Sequence, residues 1–408
     1  MTANMTEGRS ADAGVLLLGG HGNALAILRS MSKAGIDVVV VAEPSSPVLL
    51  SRFCREKHVR PIGEEARAHW KHLLLDVHRE RWRGRVIFAC EDNAIATIAE
   101  NYDELATSYI LDSHDPELWM AMLDKRRTLE IARAAGCPVP SFSEIREEAD
   151  AEAIAGQFQF PVLLKPLHSH LFKAKFDTKL FVVHSRGELL DRARACLEAG
   201  LRMMAVEYIP GPDTQLSSYY THLDSEGRHL FHFTKRVIRR SPPRVGAGCY
   251  HATEWLPETA EMGARFFRNS GFTGLGNIEF KRDQRDGLLK VIECNARVTE
   301  AHELLVRSGM DTAMLVYRHL TGSGGHASGD YREGMHLWYP ELDFDACRAL
   351  RREGELTLFG WLKSVARKQC FPYFSITDPW PAIKLIERTL RRRAGRRLNR
   401  LFGRARTP

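Results

Sequence analysis

Residues 276–297 read GNIEFKRDQRDGLLKVIECNAR, and this stretch decides the prediction of the fold. Two β-rich runs flank the turn-forming segment DQRDG, which is a β-hairpin signal. Pairing of the two runs would bring Glu279 and Glu293 together on one face, with Asn295 just beyond them. Two carboxylates and an amide oxygen are ligands that suit Mg²⁺ or Mn²⁺. A surface hairpin with solvated charges is the alternative that the hairpin alone leaves open.

Composition is ordinary for a globular protein. The chain has 408 residues, of which 44% are hydrophobic and 27% are charged. This length allows two or three domains, and no apolar run is long enough for a membrane span. The eight cysteines are scattered and form no Cys-x-x-Cys pair. That pattern favours free thiols in a reducing cytoplasm over a disulfide framework or a zinc site.

The beginning of the chain predicts a βαβ unit of the doubly wound type. GVLLLGG at 14–20 and IDVVVVAE at 36–43 are buried-strand runs, and a helical pattern lies between them. The glycine turn GGHG at 19–22 does not match G-x-G-x-x-G. A structural turn or a contact to an acceptor substrate is therefore favoured over a dinucleotide site. Glu91 and Asp92, at the end of a later strand, are candidates for that contact.

The end of the chain is strongly basic. Residues 388–408 hold nine Arg and no acidic residue, so the formal net charge of +7 leaves −2 for the remainder. Apolar residues recur among the arginines at near-helical spacing, which predicts a basic amphipathic helix. The aromatic segment FPYFSITDPW at 371–380 favours peripheral contact of this helix with the anionic inner face of a membrane. A disordered tail is the second interpretation, and nucleic-acid binding is the least favoured.

Several motifs in this order resemble the ATP-grasp superfamily of carboxylate–amine ligases, which includes D-alanine–D-alanine ligase, biotin carboxylase and D-aspartate ligase type enzymes. They are the Asp-Lys helix start at 124–125, the Gly-Cys-Pro-Val-Pro turn at 136–140, Lys-Pro at 165–166 and Glu-Cys-Asn at 293–295. The resemblance covers about residues 14–320. Each motif is weak alone, and their combination is specific.

The resemblance implies an α/β and α+β fold. A Rossmann-like pre-ATP-grasp domain would precede a two-lobed ATP-grasp domain, and a small C-terminal helical extension would follow. The expected boundaries are a disordered leader at 1–13, the pre-ATP-grasp domain at 14–118, the ATP-grasp domain at 119–321 with lobes at about 119–205 and 206–321, and the extension with its basic amphipathic helix at 322–408.

The resemblance also implies roles for individual residues. The nucleotide would be bound by Lys125 and Lys165 at its phosphates, Glu207, Tyr208 and Ile209 at its base, and Asp213 at its ribose. The metal ligands would be Glu279, Glu293 and Asn295, and Arg297 would steady the transferred phosphoryl. Independently of the resemblance, the stretch at 234–254 is basic and rich in glycine, which indicates Lys235 and Arg244 as binders of the substrate anion; a solvated face explains its other arginines equally well. A turn residue is the alternative for Asp213. The lid expected at 168–179 has no glycine, which departs from the family pattern.

The implied reaction is ATP-dependent ligation of a carboxylate to an amine through an acyl-phosphate, with release of ADP and phosphate. ATP and Mg²⁺ (or Mn²⁺) would be the cofactors, and the substrates would be small molecules such as an amino acid or a cell-envelope precursor. The alternative is a nucleotide-binding, membrane-associated scaffold or sensor without ligase turnover, which the glycine-free lid leaves open. A cytoplasmic location and a homodimer are compatible with either function.

Overall fold

The computed structural model describes residues 13–62, 65–112, 115–167, 172, 175–176, 178, 180–324 and 329–402, with only the backbone described for 392–402. Three β-sheets organise these residues into a mixed α/β structure.

The first sheet contains the predicted βαβ unit. Its strands are β1 (Val15–Leu18), β2 (Val38–Ala42), β3 (Glu56–Val59) and β4 (Val86–Ala89), and its helices are α1 (Gly22–Lys33), α2 (Glu65–His72), α3 (Asp92–Glu100) and α4 (Tyr102–Ala106), with a 3₁₀ turn at Pro47–Leu50 and a π-helical turn at Leu73–Val77. The strands are parallel and lie in the order β3-β2-β1-β4. Every residue of β1 and β2 is buried, as expected for parallel strands that are covered on both faces. Ile110 forms one isolated parallel bridge with Val86 beside this sheet.

The second sheet is antiparallel. Its strands are β5 (Phe142–Ile145), β6 (Val162–Pro166), β7 (Phe181–Val183) and β8 (Met203–Glu207), and the helices around it are α5 (Pro116–Leu123), α6 (Lys125–Ala134), α7 (Glu148–Gln157) and α8 (Arg186–Glu198). The strand order is β5-β8-β6-β7. Residues 116–134 form two helices and not one continuous helix. Asp124 separates them, because its side chain accepts the N–H groups of Arg126 and Arg127 and so caps α6. Helix α5 crosses the expected domain boundary at 118.

The third sheet has seven strands and carries the predicted hairpin. Its strands are β9 (Leu216–Leu223), β10 (His229–Ser241), β11 (Ala247–Thr253), β12 (Gly274–Arg282), β13 (Leu289–Asn295), β14 (His336–Trp338) and β15 (Gln369–Cys370); the accompanying helices are α9 (Pro257–Ser270), α10 (His302–Ser308), α11 (Thr312–Leu320), α12 (Pro340–Arg352), α13 (Leu358–Val365) and α14 (Trp380–Phe402), with a 3₁₀ turn at Asp213–Gln215. The strand order is β13-β12-β9-β10-β11-β14-β15. The first and third sheets share one hydrophobic core, in which Leu16 and Val39 belong to the same cluster as Ile278 and Phe280.

The C-terminal extension, predicted to be small and helical, contains helices α12, α13 and α14 and also two short strands. Strands β14 and β15 continue the third sheet, and β14 pairs with β11. Asp343 of α12 is fully buried, where its carboxylate accepts hydrogen bonds from Arg239 at 2.6 and 3.0 Å. These strands are three and two residues long, which is too short for a strand periodicity to be recognised in the sequence.

Candidate active site

The β12–β13 hairpin places the two predicted carboxylates opposite each other. Glu279 pairs with Glu293, and Asn277 pairs with Asn295, across antiparallel strands. Directly opposed residues have side chains on the same face of a sheet. The local geometry that the sequence predicted for these strands is therefore present, and the roles of the residues remain predictions.

A lateral row of polar residues continues from this pair across the third sheet. Glu279 is opposite Ser218 on β9, and Ser218 is opposite Lys235 on β10. The Lys235 ammonium donates to Ser218 Oγ at 3.0 Å and lies 3.4 Å from Nδ1 of His251. Lys235 is only 1% exposed. A buried lysine thus points towards the carboxylate pair.

Charges of opposite sign balance each other around the row. Burial and the neighbouring Glu293 raise the pKa of Glu279, and Lys235, Arg240 and Arg297 act in the opposite direction. Burial lowers the pKa of Lys235, and the two glutamates oppose this shift. Two carboxylates this close disfavour each other's ionisation unless cations stand nearby. The site is therefore built to hold positive charge.

The two predicted phosphate lysines lie close to each other, and Lys165 lies close to Glu293. Lys165 is near the end of β6, where burial lowers its pKa to about 8; Glu293 opposes this shift and Lys125 adds to it. Lys125 is the first residue of α6. The second and third sheets therefore bring Lys165 into the electrostatic field of Glu293, with Lys125 beside Lys165.

A cleft that is open to solvent lies between these two sheets. The residues predicted to bind the base, Glu207, Tyr208 and Ile209, are here called the hinge, and all three line the cleft. The other lining residues are the basic residues Lys165, Arg240, Arg244 and Lys281 and the apolar residues Pro140, Leu163, Leu180, Val206, Leu216, Val245 and Ile292.

The hinge is held by contacts that the sequence did not predict. The Glu207 carboxylate accepts a hydrogen bond from Arg285 at 2.7 Å and another from the Ser141 N–H at 3.2 Å. The carbonyl oxygen of Ile209 accepts from Lys281 Nζ at 2.7 Å. Lys281 was missed, although its position two residues after Glu279 on one strand places it on the same face.

The Asp213 carboxylate stabilises a turn through hydrogen bonds to the backbone. Its two carboxylate oxygens accept the backbone N–H groups of Arg240 at 3.0 Å and Arg244 at 3.1 Å. Burial raises its pKa, although Arg240 and these backbone hydrogen bonds oppose the shift. These bonds favour the alternative of a turn residue, and the ribose contact remains a prediction.

Arg244 directs its charge away from the carboxylate pair. Its guanidinium pairs with Glu353 at 2.8 Å and also with Glu355, both at the end of α12 or just beyond it. Its backbone has a left-handed φ of 66°. Of the two residues predicted to bind the substrate anion, the structure therefore brings Lys235 to the carboxylates and ties the Arg244 side chain to the C-terminal extension.

Arg297 connects the hairpin to the first sheet. Its Nε donates to Oδ1 of Asp92 at 2.6 Å, and the pair joins residues 205 positions apart in the chain. Asp92 is the first residue of α3 and was one of the two acids proposed for substrate contact. Arg297 also lies in the electrostatic field of Glu293. The first sheet thus contributes a side chain to the edge of the site.

The glycine turn before α1 is satisfied by carboxylates of the chain itself. The Gly20 N–H donates to Glu91 at 3.1 Å, and the Gly22 N–H donates to Glu300 at 3.0 Å. A phosphate at a helix N-terminus would need such N–H groups. This arrangement favours the structural interpretation of the turn over a dinucleotide site.

Other predictions concern residues that are not described. In the lid at 168–179, Ser169, His170 and Lys173 lie outside the described residues, and Lys175 is exposed. Within the described ranges, no helix is long and apolar enough to cross a membrane. The same ranges contain no group of three or more His, Cys, Asp or Glu side chains that could hold a metal ion. The predicted metal site differs in kind, since it uses two carboxylates and an amide.

No protein-family model matches the chain. Among curated proteins, D-aspartate ligase of Enterococcus faecium is 23% identical over 316 residues, covering 74% of this chain and 75% of that protein. D-alanine–D-alanine ligase of Pseudomonas fluorescens is 25% identical over 214 residues, covering 49% of this chain and 63% of that protein. Among solved structures, the biotin carboxylase domain of Hydrogenobacter thermophilus 2-oxoglutarate carboxylase, in complex with MgADP, ADP and bicarbonate, has a TM-score of 0.61 at 18% identity, with 79% of this chain and 73% of that chain covered.

These comparisons confirm the resemblance. The chain is similar in fold and sequence to the ATP-grasp ligases, a class of enzymes that form carbon–nitrogen bonds. The particular enzymes that it resembles in sequence are D-aspartate ligase and D-alanine–D-alanine ligase.

Proposed function

We propose that the protein is an ATP-dependent carboxylate–amine ligase that forms an amide through an acyl-phosphate and releases ADP and phosphate. The observation that carries this proposal is the row Glu293–Glu279–Ser218–Lys235, which lies beside a cleft that contains Lys165. The curated relatives join amino acids, according to their names. We therefore propose an amino acid, or a cell-envelope precursor that contains one, as the carboxylate or the amine.

The proposed domain arrangement follows the three sheets. The parallel sheet would be the Rossmann-like pre-ATP-grasp domain of residues 14–118, the second sheet would be the first ATP-grasp lobe to about residue 205, and the hairpin sheet would be the second lobe to 321. The shared core between the first and third sheets supports a fixed position for the pre-ATP-grasp domain beside the second lobe. Residues 322–408 would be an extension that adds two strands to that lobe.

The donor set fits Mg²⁺ or Mn²⁺. Two opposed carboxylates supply hard oxygen ligands, and the Asn295 amide nitrogen donates to Asn277 Oδ1 at 3.2 Å, which leaves its amide oxygen available. Glu279, Glu293 and Asn295 would hold the ion, which, when bound, neutralises charge on the nucleotide phosphates.

The remaining steps use positioning and electrostatics by the chain itself. Lys165 and Lys125 would bind the phosphates, and the hinge at 207–209 would bind the base. Lys235 and Arg297 would orient the substrate carboxylate for attack on the terminal phosphorus of ATP, with ADP as the leaving group. An amine would then attack the acyl carbon and displace phosphate. No side-chain nucleophile is required by this sequence of steps.

The test is a phosphate-release assay on the purified full-length chain. We expect ADP and phosphate to form only when a carboxylate and an amine are both supplied, with D-aspartate and D-alanine as the first candidates. Glu293→Gln is the negative control. Release of AMP and pyrophosphate, or ATP hydrolysis that is indifferent to both substrates, would overturn the proposal. The scaffold alternative receives no support from the relatives.

We also propose a cytoplasmic location with peripheral contact at the inner face of the membrane. Helix α14 supports this contact, because Ile383, Ile386 and Leu390 are 45%, 61% and 60% exposed on it, next to the arginine-rich end of the chain. A homodimer is supported only by the dimeric biotin carboxylase domain among the similar structures.

A further inference from the structure

Lys281 stands on the strand that carries the proposed metal ligand Glu279, and its side chain contacts the hinge that would bind the base. It stands on β12, two residues after Glu279, and it lines the cleft. Its ammonium lies 2.7 Å from the carbonyl oxygen of Ile209 and 5.3 Å from the centre of the Tyr208 ring. The strand that carries one proposed metal ligand thus also fixes the hinge that would bind the base.

The ammonium of Lys281 is buried, and its contacts among the described residues use only part of its hydrogen-bonding capacity. The residue is 4% exposed, and an ammonium has three N–H donors, of which Ile209 takes one. Its acidic neighbours are engaged elsewhere: Asp213 accepts two backbone N–H groups, and Asp283 pairs with Arg285 and Lys290. Burying an ammonium is costly unless acceptors surround it. An acceptor atom of a ligand in the cleft would complete the shell.

We propose that Lys281 is a positioning residue for the nucleoside. It holds the Ile209 carbonyl in place and donates a hydrogen bond to a ring nitrogen or a ribose oxygen of the bound nucleotide. This inference rests on the proposed function and adds a contact that selects the nucleoside part. A contact of this kind is made equally in the ground state and in the transition state. It therefore acts on the KM for ATP and leaves kcat nearly unchanged.

The test separates the nucleoside from its phosphates. Adenosine and ADP are titrated calorimetrically into the full chain and into Lys281→Met. We expect both ligands to bind about ten- to a hundredfold more weakly to the variant, since a hydrogen bond to a charged donor is lost. Lys165→Met should weaken ADP binding and leave adenosine binding unchanged. In steady state, Lys281→Met should raise the KM for ATP at least tenfold with kcat lowered less than threefold.

Lys57→Met is the matched control. Lys57 also donates to a backbone carbonyl, that of Leu49 at 3.2 Å, but it lies on the first sheet. Lys57→Met should leave the affinities for adenosine and for ADP unchanged. Should Lys281→Met not fold, Lys281→Gln decides, because it retains a neutral N–H donor on a shorter side chain; we expect about a three- to tenfold loss of adenosine affinity.

The inference would be overturned if the folded Lys281 variant bound adenosine with an affinity within about twofold of that of the unsubstituted protein. Ligase turnover that persists in the same experiment would leave the proposed function intact. Conversely, the unsubstituted protein could bind adenosine through Lys281 and yet ligate no carboxylate to an amine. That result would support the inference about nucleoside binding and would refute the proposed ligase function.

Discussion

Glu279 and Glu293 lie directly opposite each other on β12 and β13, and each side chain is partly buried. Because burial and Glu293 both disfavour the ionised form of Glu279, its pKa is raised. Keeping both carboxylates ionised therefore costs the free protein some stability, but it places negative charge where a divalent ion would bind. Stability and activity should respond in opposite directions when one charge is removed.

Glu279→Gln is expected to lower phosphate release at least a hundredfold without lowering the melting temperature. Glutamine resembles the neutral form of Glu279 that the surroundings favour, but it is a weaker metal ligand. Turnover and thermal unfolding are measured on the same preparation. Glu261→Gln is the control, because Glu261 is exposed on α9 and, among the described residues, pairs with Arg265 at 3.0 Å. A variant that melts several degrees lower, or that retains more than a tenth of the turnover, would contradict the assignment.

Lys165 should make nucleotide binding sensitive to alkaline pH. Its pKa is lowered to about 8 by burial, against the attraction of Glu293. The ammonium is charged below that pH and neutral above it, so ADP affinity should fall as the pH rises from 7 to 9. For a single proton, the fall is about tenfold at most.

Lys165→Arg provides the comparison, since a guanidinium stays charged throughout this range. The fall in ADP affinity, followed by titration calorimetry at each pH, should be smaller in this variant. Equal pH profiles for the two proteins would show that Lys165 does not contact the phosphates.

The sequence was sufficient where the decisive contacts are local. The hairpin pairs residues within one stretch, so its alternation and its turn predict that Glu279 and Glu293 meet. The βαβ unit was predictable for the same reason, because a helical pattern joins its two buried runs. The cap of α8 is local too, since the Ser185 side chain accepts the N–H of Glu188 three residues further on.

Contacts between distant segments could not be predicted in this way. Arg297 follows β13 and Asp92 begins α3, 205 positions apart in the chain, and neither residue's sequence neighbours indicate the other. Arg244 lies in a basic, glycine-rich stretch that suggests an anion site, yet acids of the extension neutralise its side chain. Lys281 follows a motif residue, but only the folded hinge shows that it reaches Ile209.

The aromatic segment at 371–380 should be essential for stability because of Asp378. This carboxylate is fully buried and accepts hydrogen bonds from Arg29 Nε at 3.0 Å, Ser51 Oγ at 2.7 Å and the Arg52 N–H at 3.0 Å. Asp378→Ala would leave the Arg29 guanidinium buried without its counter-ion. Breaking a buried pair in this manner costs about 3–5 kcal/mol.

The loss is measured by urea unfolding, with Asp345→Ala as the control. Asp345 is exposed on α12 and pairs with the exposed Arg348 at 3.4 Å, so its removal should cost well under about 1 kcal/mol. Similar unfolding midpoints for the two variants would show that the segment is not anchored through Asp378. At temperatures where both variants are folded, turnover should be unchanged, because neither residue lines the cleft.

Deletion of residues 388–408 should separate membrane contact from catalysis. This segment contains nine Arg and no acid, and each basic residue near an anionic surface contributes about 1 kcal/mol to binding. We expect the full chain to sediment with vesicles that contain phosphatidylserine, less so as salt is raised, and the truncated chain to stay in solution. Phosphate release should be the same for both, because the proposed site lies in the second and third sheets.

The apolar face of α14 provides an independent variant. Ile386→Asp places a charge on a side chain that is 61% exposed, so the fold should tolerate it. If the helix inserts its apolar face between lipids, this variant binds vesicles more weakly although all nine arginines remain. Unchanged binding of Ile386→Asp would mean that the arginines act by charge alone, without insertion of the helix. Equal sedimentation of the full and truncated chains would refute the membrane contact altogether.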